Sequence, residues 1–135
     1  MEKSVKIPLW ITLFGGFLAV FGLGLGIMGY LQPDMVIPGF TGDTYPHKMA
    51  IWMTSARNIA MGVVMTYALL SKKPELIGFA FLMRVVTELF DMPATAISGV
   101  MGSVPSGAIY AVYLLLFIIP EMIAIKSMWS LSKAG

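Results

Sequence analysis

The 135-residue chain reads as an all-α protein, an integral-membrane four-helix bundle with both termini in the cytoplasm. Three observations carry that reading. Hydrophobic residues make up 58% of the chain and charged residues 12%, against about 45–50% and about 25% in an ordinary soluble domain. Four apolar stretches are each long enough to cross a hydrocarbon core, which takes about 20 residues of helix. The lysines outside those stretches divide unevenly between the two sides. The length suits a single domain, residues 1–135, and no internal repeat interrupts it.

The first stretch runs from Leu9 to Leu31. It outruns the apolar core of a signal peptide, about 7–15 residues, and lacks a small-x-small cleavage site, so a retained helix is expected. The second runs from Met49 to Leu70, after a turn-rich segment holding Pro33, Pro38, Gly39, Gly42 and Pro46. Asp43 or Thr44 is placed to start it, and Asp34 and Asp43 read as turn formers. The third, Leu76 to Val100, follows the tight turn Ser71-Lys72-Lys73-Pro74. Pro74 loses nothing in a first helical turn, and Glu75 meets the positive end of the helix dipole there. The fourth runs from Ala108 to Trp129. Pro93 and Pro120 fall inside the last two helices and are expected to kink them.

Four crossings put the N-terminus, the turn at 71–74 and the C-terminus on one side, with Lys3, Lys6, Lys72, Lys73 and Lys133, and with Lys126 near the end of the last helix. The other side has Lys48 alone. The positive-inside rule then assigns both termini to the cytoplasm. Trp10, Tyr30, Trp52 and Trp129 near the span ends fit interfacial belts. A net charge of +2 with scattered basic residues offers no face for phosphates, so no nucleic-acid partner is expected. The absence of cysteine excludes disulfides, thiolate metal sites and a thiol redox couple.

Ionisable residues inside the stretches carry the chemistry. Arg57 and Asn58 lie in the second, Arg84, Glu88 and Asp91 in the third, and Glu121 in the fourth. A charge at membrane depth costs about 2.5–3.5 kcal/mol even on the lenient insertion scale, so such residues pair, face the bundle interior or line a wet cavity. Arg84, Glu88 and Asp91 stand at i, i+4 and i+7, one stripe of one helix. Helix rise predicts two tiers of pairs, Arg57 with Glu88 or Asp91 above and Arg84 with Glu121 below. Three carboxylates against two arginines leave one surplus negative charge. Burial and like charge both disfavour it, so one carboxyl is expected to hold its proton at neutral pH. A neutral carboxyl beside an ionised one suits general acid and base work. The same residues could instead form a static polar core that sets helix register.

Other residues offer further candidates. Asn58 could bond a substrate oxygen or another helix, and Tyr113 and Tyr110 could donate hydroxyls. His47, beside Lys48 in the loop, reads as an interfacial residue. Gly24-Leu25-Gly26-Ile27-Met28-Gly29 matches G-x-G-x-x-G, but it sits inside an apolar span with no preceding strand, so it is not a dinucleotide fingerprint. Gly15, Ala19, Gly22 and Gly26 form small-xxx-small steps that allow close helix approach, within the bundle or between protomers. A cation among Glu88, Asp91 and Glu121 would be repelled by two arginines, so no metal is assigned. Twelve methionines supply adaptable apolar surface.

The segment Ala56-Arg57-Asn58-Ile59-Ala60-Met61-Gly62, with Arg84 followed by Glu88-Leu89-Phe90-Asp91, resembles the small four-helix DoxX-like bacterial membrane proteins. The resemblance covers nearly the whole chain in layout. It implies a four-helix bundle in the bacterial inner membrane and assigns no catalytic residue. The reading from the residues is a small integral-membrane enzyme, without a cofactor, performing isomerisation, cyclisation or epoxide opening on a lipophilic small molecule or lipid. Glu88, Asp91 and Glu121 are its candidate catalytic residues, with Arg57, Asn58, Arg84 and Tyr113 binding substrate or pairing charge. The alternatives are a proton-coupled transporter or channel subunit, assembled as a homodimer or other homo-oligomer, and a structural assembly protein.

Overall fold

The computed structural model describes residues 6–36, 44–97 and 106–134, and every element among them is helical. Helix α1 spans Leu9–Leu31, with the bounds the apolar run predicts, and is followed by the single turn α2, Pro33–Val36. Asp34 lies in that turn. Helix α3 spans Tyr45–Ser71, α4 Pro74–Ile97 and α5 Ser106–Tyr113. A π-helical segment, Leu114–Ile118, then leads directly into α6, Ile119–Ala134.

Helix α3 starts ahead of the apolar run at Met49, directly after Thr44, one of the two residues placed to start it; Pro46 falls in the first turn, where a missing N–H leaves no bond unmade. His47 and Lys48 are therefore helical and exposed rather than part of a loop. Thr44 takes the cap position but makes no side-chain cap bond; Asp43 lies outside the described residues, as does the expected end of the third helix at Val100. The connection from α3 to α4 is as tight as its composition predicts. Lys72 closes it in the left-handed region (φ 54°), with its N–H on the Leu69 carbonyl at 3.2 Å.

Among the described residues, two helical runs rather than four are long and apolar enough to cross a membrane, Leu9–Leu31 and Gly107–Lys133. The polar residues that mark α3 and α4 also dilute them: Arg57 and Asn58 sit near the middle of α3, and Arg84, Glu88 and Asp91 run from the middle of α4 toward its end.

Helix α1 packs along α3, and α4 packs along α6. One core joins the two pairs, through Leu18 of α1, Met65 of α3, Phe81 of α4 and Met128 of α6. Phe14 stacks on Phe81 at 6.0 Å between ring centroids. The α1–α3 contact is close because its residues are small. A Cβ on Gly26 would lie 2.8 Å from the Ser55 carbonyl oxygen and 2.9 Å from the Ile59 nitrogen. One on Gly62 would lie 2.9 Å from the Ala19 carbonyl oxygen. The small-residue stripe is therefore spent within the chain, and its two backbones meet where a side chain would hold them apart. Gly16 and Gly24 have nothing within 4 Å of an added Cβ.

The contacts also fix direction. Gly15 approaches Leu69 and Gly29 approaches Ser55, so α1 and α3 are antiparallel. Gly78 lies under Trp129 while Arg84 reaches Glu121, so α4 and α6 are antiparallel too. Lys6, Lys72, Lys73, Lys126 and Lys133 consequently gather at one end of the molecule, with Lys48 at the other.

Substitution of the two classes of glycine separates packing from propensity. Gly26→Ala should cost about 1–3 kcal/mol by forcing α1 off α3. Gly24→Ala, on the same helix, should be neutral or stabilising by up to about 1 kcal/mol. Denaturant unfolding in detergent, followed by helical circular dichroism, checks both.

Candidate functional site

The spacing Arg84, Glu88, Asp91 places three ionisable side chains along one face of α4, with the first and last about 10 Å apart along the axis. Each end of that stripe finds a partner on a different helix. Asp91 Oδ2 accepts from Arg57 Nη2 of α3 at 2.8 Å. Glu121 Oε1 of α6 accepts from Arg84 Nε at 3.0 Å. Glu88 accepts from Arg84 Nη2 in an i, i+4 pair within α4. The two-tier pairing expected from helix rise is thus present, with Asp91 taking Arg57 and Glu88 joining Arg84.

The tiers differ in exposure. The five charges were expected to pair, face the bundle interior or line a wet cavity. Arg57 and Asp91 are paired and 41% and 29% exposed, at the edge of the α3–α4 contact. The lower tier is interior: Arg84 is 11% exposed, Glu88 13% and Glu121 fully buried. Side-chain exposure therefore falls steadily from Asp91 through Glu88 to Glu121. Among the described residues, Glu121 Oε2 has no hydrogen-bond partner.

How Glu121 reaches the core depends on the π-helical segment. Ile109 and Glu121 both face inward, 4% and 0% exposed. In an uninterrupted α-helix, at about 100° per residue, their positions would point about 120° apart; one residue absorbed by a wider turn reduces this to about 20°. The Ile119 N–H bonding back to the Leu114 carbonyl is that wider turn. Pro120 directly after it is the sequence cause, since proline has no N–H to give and its ring crowds the carbonyl one turn earlier. Pro93, by contrast, sits within α4 without dividing it.

The remaining candidates sit around this site. Asn58 is half-buried on α3, with its backbone carbonyl beside Gly22 of α1. Tyr113 is half-buried, and its ring lies 5.9 Å from that of Phe117 in the π-helical segment. Tyr110 is half-buried. Sequence reasoning missed Ser55, a buried hydroxyl facing Gly29 that has no hydrogen-bond partner among the described residues. Its signal was a hydroxyl opposite the glycine stripe, visible only once the α1–α3 register is known. Among the described residues, no group of three His, Cys, Asp or Glu side chains is placed to hold a metal ion.

Chemically, the lower tier is two carboxyl groups on one guanidinium. Arginine remains charged at any relevant pH. The pair can therefore neutralise it with one carboxylate and keep the other for exchanging a proton. Comparison with known proteins gives no match: no family model, no curated protein and no solved structure corresponds to the chain.

The difference between tiers has a measurable consequence. Arg84→Ala should cost about 3–5 kcal/mol, because it strands Glu121 and Glu88 in the interior. Arg57→Ala should cost about 1 kcal/mol or less, because its pair is partly exposed. Unfolding titrations of the two variants in one detergent check the order. The π-helical segment makes a second prediction. With Pro120→Ala as background, deleting Leu115 should leave a straight helix with Glu121 still inward and stability within about 1 kcal/mol. Deleting Ile123 in that background rotates Ala124, Ile125 and Met128 out of the core and should cost about 3 kcal/mol or more.

Proposed function

We propose that this chain is a multi-pass integral-membrane protein, a four-helix bundle with both termini cytoplasmic, that performs acid/base chemistry on a lipophilic substrate at the Glu88–Arg84–Glu121 cluster. The observation that carries the chemistry is Glu121 Oε2, a carboxyl oxygen shut off from solvent and, among the described residues, left without a hydrogen-bond partner. An unpartnered acceptor in an apolar interior is costly unless it holds a proton or receives one from a ligand. Both are states of a working acid or base. In this reading Glu121 exchanges the proton with the substrate, Glu88 keeps Arg84 neutralised, and Arg84 holds the two carboxyl groups in register. The reaction is an isomerisation, cyclisation or epoxide opening, each of which needs a proton given and a proton taken. Arg57 with Asp91, Asn58 and Tyr113 would line the approach of the substrate.

Several features support a membrane setting. The apolar windows of α1 and of the run at 107–133 are only 33% and 28% buried, unlike the core helices of a soluble protein. Thr54, Thr66, Thr87 and Ser127 donate to the carbonyl four residues earlier on their own helix and so need no water. The lysines gathered at one end fit a cytoplasmic face. The resemblance to DoxX-like proteins belongs to this proposal, with the bacterial inner membrane it implies.

A second reading, proton-coupled transport by an oligomer, is favoured by the fall in exposure from Asp91 through Glu88 to Glu121, which is the arrangement of a relay. Native mass spectrometry of the detergent-purified protein tests the first reading. The expected result is a co-purifying lipophilic molecule that Glu121→Gln releases while helix content is unchanged. A ligand-free protein that conducts protons in liposomes, with Glu121→Gln abolishing the flux, would overturn the enzyme in favour of transport.

A further inference from the structure

The last turns of α6 carry a feature that the acid/base cluster does not use. Lys126, Ser130 and Lys133 stand at i, i+4 and i+7, one stripe of the helix surface. Between them and the apolar Met122, Ile125 and Trp129 runs an open groove of about 430 Å³. Ile125 is its buried floor at 3% exposed, whereas Met122 and Trp129 leave about half of their surface outside. The Trp129 indole lies over Gly78 of α4, where a Cβ would come within 3.2 Å of Nε1. The absence of a side chain at Gly78 thus seats the indole against α4. The ion pairs among the described residues are those of Arg57 and Arg84, so neither lysine of the groove has an acidic partner there.

We propose that this groove is a binding site for one anionic phospholipid. The headgroup phosphate would bridge Lys126 and Lys133, whose positions are about 10 Å apart along the axis, with the Ser130 hydroxyl between them. An acyl chain would run toward the middle of the helix over Ile125 and Met122, beside Trp129. Charge complementarity selects an anion, and the continuous apolar floor selects one with a hydrocarbon chain, because a free phosphate gains nothing from Met122 or Trp129. The groove lies at the lysine-rich end of the molecule, the end at which the proposed orientation puts the anionic cytoplasmic leaflet. The inference therefore rests on the membrane reading above, though not on the acid/base one.

Trp129 is its own reporter. Of the three tryptophans in the chain, Trp10→Phe and Trp52→Phe leave Trp129 alone. That protein would be reconstituted in phosphatidylcholine vesicles containing increasing fractions of phosphatidylglycerol or phosphatidylcholine with brominated acyl chains. The expected result is that brominated phosphatidylglycerol quenches Trp129 at a mole fraction lower by on the order of tenfold, the scale set by two lysines at a membrane surface. Added salt should shrink that preference in the same protein, without further substitution. Lys126→Gln with Lys133→Gln should remove it. Equal quenching by the two lipids, or a preference untouched by salt and by the lysine substitutions, would overturn the proposal while leaving the membrane reading standing. No quenching by either lipid would overturn both.

Discussion

A guanidinium held among apolar helices cannot shed its charge, and the α4–α6 half of this molecule is arranged around that fact. Arg84 needs anions within bonding reach, and they come from its own helix, through Glu88, and from α6, through Glu121. To supply Glu121 the last helical run must turn a polar residue inward between Ile118 and Ala124, both of them core positions. The π-helical segment before Pro120 absorbs one residue and keeps the inward stripe continuous from Ile109 onward. Sequence, helix distortion and charge pairing are therefore one chain of cause. A proline fixes where the helix widens, the widening fixes where Glu121 points, and Glu121 completes the shell of Arg84.

The α1–α3 half solves a different problem. No described charge on α1 or α3 is fully buried, and the cohesion of this half comes from proximity: Gly22 and Gly26 of α1 meet the backbone of Ser55, Asn58, Ile59 and Gly62 of α3, and Gly29 meets the Ser55 side chain. Close approach gains dispersion contacts that need no hydrophobic driving force, which suits helices whose outer faces remain apolar. Phe17, Val20 and Ile27 on α1, and Leu115, Leu116 and Ile123 on the last helical run, point outward and are each half or more exposed. A solvent that accepts such faces is what the membrane proposal supplies. The two halves then divide labour, with α1 and α3 giving a tight scaffold and α4 and α6 holding the ionisable cluster.

Much of this was legible in the sequence, for identifiable reasons. The bounds of α1 followed from the apolar run Leu9 to Leu31, and the turn at 71–74 from its lysines and Pro74. The pairing tiers followed from i, i+4, i+7 spacing and a constant rise per residue, because both are local properties of one helix. What was not legible depended on neighbours. The exposure of Arg57 is set by how α3 leans on α4, which no spacing rule encodes. Use of the glycine stripe within the chain rather than between protomers required knowing that Ser55 and Ile59 lie opposite. The start of α3 was legible in its start signal, Thr44 ahead of Pro46, although the apolar run itself begins only at Met49.

The central claim is that the Glu88–Arg84–Glu121 cluster keeps one carboxyl proton in an apolar interior. Infrared spectroscopy of the membrane-reconstituted protein at neutral pH tests it most directly, through the carbonyl stretch of a protonated carboxylic acid. The account predicts one such band, insensitive to rapid solvent exchange and absent from Glu121→Gln or from Glu88→Gln. A spectrum with carboxylate bands alone, unchanged in position by either substitution, would contradict it.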